Sequence, residues 1–120
     1  LSKLCNILFT KKLAAYVQQD GITSNALHPG GVATNFGKGG SGFLSFIYET
    51  VGSRFMLTPE EGAETSIYLA TSPEVSGVSA EYFVKKKKVF PSTLAMSSQN
   101  AEKLWDISMQ LTGIETFGKP

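Results

Sequence analysis

The chain is 120 residues long, carries a formal net charge of +1 at neutral pH and is 42% apolar, the balance of one modest globular domain or a piece of a larger one. A charge this close to zero argues against nucleic-acid binding by bulk electrostatics, and a single cysteine, Cys5, excludes an internal disulfide or a cysteine-based metal site. The lone thiol suits a reducing intracellular compartment, with the cytoplasm as the expected setting.

Residues 1–19 are expected to form the first helix. Leu4, Cys5, Leu8 and Ala15 share it with Ile7, Phe9, Leu13, Ala14 and Tyr16, an apolar arc wider than a surface helix needs. Such a helix is covered on two sides, by a sheet on one and by neighbouring helices or a second subunit on the other. A homodimer through helix 1–19 is therefore one expectation. Asp20-Gly21 ends the helix, and Cys5 reads as a core residue. The chain opens in what reads as helix interior, without an initiator Met, so it is expected to be part of a longer protein.

Residues 22–27 predict a buried strand, because the run is short, β-branched at its start and preceded by a glycine stop. It breaks at Pro29-Gly30-Gly31, which opens a loop over 28–34. Pro29 keeps His28 out of the helical region, and the two glycines let the backbone approach a flat ligand closely. A strand ending in such a corner delivers backbone groups to the carboxyl edge of a sheet, where open α/β sheets bind ligands. On spacing alone, a plain turn is the favoured reading of the corner.

Residues 35–57 are glycine-rich at first and then crowded with large apolar groups, among them Phe36, Phe43, Phe46, Ile47 and Phe55. This composition fits a flap over an apolar ligand, and a short amphipathic helix over 43–54 that completes the core is the other reading. Gly37 to Gly42 matches the G-x-G-x-x-G pattern of pyrophosphate loops. That pattern must directly follow a strand and open a helix, and here the strand has already turned at Pro29, so the stretch is read as loop.

Thr58-Pro59-Glu60-Glu61 is a helix start, with Thr58 as N-cap, Pro59 in the first turn and Glu61 closing a capping box. The helix is expected over 59–71, burying Ala63, Ile67 and Ala70. A second strand is predicted over 78–84, running on into Lys85 to Lys88 as a solvated strand end. Ser97 or Ser98 caps a last helix, 98–112, with Trp105 as its packing anchor and Gly113 as its stop. The order is that of an α/β half, not a complete sheet.

Three stretches in this order and spacing resemble the carboxyl-terminal half of the short-chain dehydrogenase/reductase family, and within it the retinol-dehydrogenase-like branch. They are Ser2-Lys3-Leu4-Cys5-Asn6, then Asn25-Ala26-Leu27-His28-Pro29-Gly30-Gly31-Val32-Ala33-Thr34, then Thr58-Pro59-Glu60-Glu61-Gly62-Ala63. The resemblance implies the carboxyl-terminal part of a doubly wound parallel-sheet (Rossmann-type) domain, incomplete in this chain. It makes Ser2 and Lys3 the last letters of a Tyr-x-x-Ser-Lys pentad, whose Tyr falls outside the chain. Lys3 is then the catalytic lysine, gripping the nicotinamide ribose of NAD or NADP and lowering the phenol's pKa. The stretch Pro29, Gly30, Gly31, Val32 and Thr34 becomes the loop that holds the nicotinamide carboxamide, with His28 a scaffold residue beside it. The same resemblance places the dinucleotide loop and the catalytic Ser outside the chain, so the 120 residues alone are expected to be inactive.

The function expected for the intact protein is hydride transfer between NAD(P) and an alcohol or carbonyl, on a small lipophilic substrate suggested by Phe36, Phe43, Phe46, Ile47 and Phe55. The rival reading is a non-catalytic binding or scaffold protein on the same fold. No nucleic-acid partner and no metal are expected. Membrane association, through Lys85 to Lys88 and the aromatics of the flap, is the least favoured reading.

Overall fold

A computed structural model describes residues 1–30 and 58–117. Among these the chain is mixed α/β. Helix α1 (Ser2–Val17) leads into strand β1 (Ala26–His28), and helix α2 (Pro59–Thr71) precedes strands β2 (Tyr82–Val84) and β3 (Lys87–Lys88). The short helix α3 (Thr93–Met96) and helix α4 (Ser98–Thr112) close it. The strands form one sheet in the order β1-β2-β3. β1 and β2 are parallel, with Ala26 opposite Tyr82 and His28 opposite Val84, and β2 and β3 are antiparallel.

Side chains alternate across a strand, so neighbours on β2 face opposite sides. Tyr82 shares a cavity with Lys3 and Ile7 of α1, whereas the buried Phe83 meets Tyr68 of α2 edge-on at 6.5 Å between ring centroids. Helices therefore cover both faces of this small sheet. The other side of α1 is covered by α4: Trp105, 4% exposed, stacks on Phe9 and Tyr16, and the Lys12 ammonium pairs with the Glu102 carboxylate. The hydrogen bond from Lys12 to Glu102 raises the lysine's pKa above its ordinary value, against a smaller desolvation that lowers it.

Several elements differ from their sequence-based expectation, each for a local reason. The first helix ends at Val17, not 19, and Gln18–Asp20 tighten into a 3-10 turn closed by Gly21 at φ +69°. Strand 22–27 shrinks to Ala26–His28, and strand 78–84 to Tyr82–Val84. Upstream of the paired residues the two segments still run together, through backbone and side chain alike: the Ala80 N–H donates to the Ser24 carbonyl (2.8 Å), and the Asn25 amide donates to the Val78 carbonyl (2.7 Å) and accepts from the Glu81 N–H (3.1 Å). Ala80, at φ +64°, breaks the extended backbone at that point. The lysine run does not prolong β2 either. Lys85 and Lys86 both take positive φ and reverse the chain into β3, a two-residue hairpin turn without the usual Asn-Gly, anchored by the Lys86 N–H donating to the Thr65 hydroxyl.

That anchor also sets how α2 is rolled. Gly62 and Thr65, one turn apart, are its buried residues, while Ile67 is 58% exposed and Ala70 is exposed, contrary to the expected Ala63, Ile67 and Ala70 face. Cys5 is only half-buried. The α2 capping box is complete: the Thr58 hydroxyl accepts from the Glu61 N–H at 3.2 Å, and the Glu61 carboxylate accepts from the Thr58 N–H at 2.7 Å. Thr58→Ala is therefore expected to cost about 1 kcal/mol of stability. Urea unfolding of the intact protein checks this, as a lower midpoint at an unchanged m value.

Candidate functional site

The site is built where the first turn of α1 meets the carboxyl end of β1. Lys3, Asn6 and Ile7 are three and four residues apart, so one helix face presents all three. They line an open cavity of about 520 Å³ together with the strand end, His28, Pro29 and Gly30. Tyr82 of β2, Ser92 and Ala95 line it as well. Lys3 itself is exposed. Pro29 has no N–H to donate, and Gly30 stands at φ +88°, in the region that favours glycine. The Gly30 N–H donates to Nδ1 of His28 at 2.9 Å, which closes the corner on itself.

Of the residues singled out in the sequence, Lys3, Pro29 and Gly30 are thus brought to one cavity. Gly31, Val32 and Thr34 of the expected cofactor loop lie outside the described residues, as do Phe36, Phe43, Phe46, Ile47 and Phe55 of the expected flap. The strand claims His28, so the loop proper starts at Pro29. Among the polar lining residues, Asn6, Tyr82 and Ser92 were not foreseen. Asn6 was legible as the residue one turn after Lys3, and Tyr82 could have been found by pairing the two predicted strands in parallel. Ser92 carries no local signal, since only tertiary packing brings α3 there.

The arrangement offers one ammonium with three donors, an amide that donates and accepts, a phenol, and a glycine corner with little side-chain bulk. Such a set can donate to and accept from a polar ligand, and the glycine corner lets a flat group approach the backbone. The volume of the cavity lies within the range of small-molecule and cofactor sites, and the cavity opens at the carboxyl edge of a parallel strand pair.

No family model matches the chain. Among curated proteins it is similar to retinol dehydrogenase 14 of Homo sapiens, with 47% identity over 117 residues, covering 94% of this chain and 34% of that protein. It is 40% identical over 118 residues to retinol dehydrogenase 13 of Homo sapiens, covering 95% of this chain and 36% of that protein. The WW domain-containing oxidoreductase of Homo sapiens is 36% identical over 111 residues, 92% of this chain and 26% of that protein. The chain thus spans about a third or less of the length of these relatives.

Proposed function

We propose, for a chain that belongs to the retinol-dehydrogenase-like branch of the short-chain dehydrogenase/reductase family and corresponds to its carboxyl-terminal part, that the intact protein interconverts an alcohol and a carbonyl with NAD or NADP. The observation that carries this reading is the shared cavity of Lys3 and the Pro29-Gly30 corner. In this reading the chain is part of a Rossmann-type domain. The parallel pairing of β1 with β2 and the helices on both faces support that, and β1, at the edge of the described sheet, has a side on which further strands can pair.

The donor set suits the nicotinamide end of the cofactor, which when bound supplies or accepts the hydride. The Lys3 ammonium would hold the ribose hydroxyls. Its positive charge would also favour the ionised form of a phenol supplied from outside these 120 residues, tuning it as acid or base. The backbone at Pro29 and Gly30, continued by Gly31, Val32 and Thr34, would bind the carboxamide on its donor and acceptor sides and so set which ring face meets the substrate. Phe36, Phe43, Phe46, Ile47 and Phe55 would exclude water and select a lipophilic substrate.

The test is oxidation of NADH or NADPH by the intact protein in the presence of medium-chain and ring aldehydes. Saturable turnover with one of the two nucleotides is the expected result. Nucleotide binding without turnover would replace the enzyme by a non-catalytic binding protein on the same fold, and no binding at all would remove the cofactor reading.

A further inference from the structure

We infer that His28 is a positioning residue of the cofactor corner, acting through its hydrogen bond to Gly30; the inference rests on the cofactor reading above. His28 Nδ1 accepts the Gly30 N–H at 2.9 Å, across Pro29. This is the connectivity of an Asx turn, in which an Asn or Asp oxygen accepts the N–H two residues on, with an imidazole nitrogen in place of the oxygen. Among the described residues the ring makes no other hydrogen bond. His28 is exposed, so core packing does not account for its orientation.

What the bond holds is the conformation of a glycine. Gly30 stands at φ +88°, and a glycine populates both signs of φ readily, so neither sterics nor the Pro29 ring selects this state. The bond selects it, on the wall of the cavity that Lys3 faces. A ligand held by this backbone then meets a wall already set. Without the bond the ligand must order the corner as it binds, and affinity falls. One net hydrogen bond corresponds to a loss of about 3- to 10-fold.

The acceptor must be the neutral imidazole, because both nitrogens of the protonated ring are donors.

The experiment titrates NADH and NADPH into the intact protein, following nicotinamide fluorescence, for wild type, His28→Phe and His28→Asn. His28→Phe is expected to weaken binding about 3- to 10-fold and to raise the cofactor KM more than it lowers kcat. His28→Asn, which restores an acceptor two residues before Gly30, is expected to recover most of that affinity. The comparison of His28→Asn with the wild type stands without a folded Phe variant, and affinity near that of the wild type is expected. Wild-type affinity in His28→Phe, or no recovery in His28→Asn, would overturn the inference. A wild type that binds neither nucleotide fails differently, because it removes the cofactor reading and this inference with it.

Discussion

Lys3→Met in the intact protein is expected to lower kcat/KM by about 10²- to 10⁴-fold, the range that a positioned acid-base system contributes. Methionine keeps an unbranched apolar stem and deletes the ammonium. The loss would fall on two roles at once, the donors for the ribose hydroxyls and the charge that tunes the phenol, so both cofactor KM and kcat should suffer. Lys3 is exposed in the first turn of α1, where a substitution ordinarily changes stability by less than about 0.5 kcal/mol. Unfolding curves of the variant should therefore overlay those of the wild type while turnover disappears. Steady-state kinetics with the preferred nucleotide measures the effect, and retained turnover would leave the lysine outside the chemistry.

Trp105→Ala is expected to act in the opposite way, on stability first. Its ring is 4% exposed and lies in an aromatic seam between α1 and α4. It stacks on Phe9 at 5.2 Å and on Tyr16 at 4.8 Å between centroids, and meets Phe117 edge-on at 5.1 Å. Truncation removes three ring contacts and leaves a void against α1, for a cost of about 3–5 kcal/mol. Trp105→Phe should cost less for a second reason besides size. The indole Nε1 is buried and finds no hydrogen-bond partner among the described residues, so phenylalanine removes an unsatisfied donor. Because α1 also presents Lys3, the Ala variant should raise the cofactor KM modestly where it still folds. Urea unfolding of the intact protein checks the main effect, and a loss below about 1 kcal/mol would mean that α4 is not what holds α1 in place.

The parts of this fold that were legible in the sequence are those encoded within a few residues. Thr58, Pro59 and Glu61 announce the start of α2 because the capping box is a local circuit of hydrogen bonds. Gly21 and Gly113 announce helix ends because both sit at left-handed φ. The arc of α1 was correctly two-sided, though residues alone could not say that α4 would cover the second side. What escaped was non-local. Asn25 bonds to Val78 and Glu81, more than fifty residues away, beside the point where Ala80 leaves the extended backbone, and no periodicity signals that. The turn at Lys85 and Lys86 lacks turn-forming residues and leans on Thr65 from α2, which in turn rolls Ile67 outward.

The site divides the same way. Lys3 and the Pro29-Gly30 corner were visible because each belongs to a short motif, and the fold brings them to one cavity. His28 was placed beside the turn, but its bond to Gly30 needed coordinates. Tyr82 and Ser92 were missed because they reach the cavity only through strand pairing and the docking of α3.

The most direct measurement is a crystal structure of the intact protein with NADH or NADPH bound. The account predicts the Lys3 ammonium within about 3 Å of the nicotinamide ribose hydroxyls and the carboxamide against the backbone that follows Pro29. A nicotinamide ribose bound elsewhere, with Lys3 free in solvent, would contradict it.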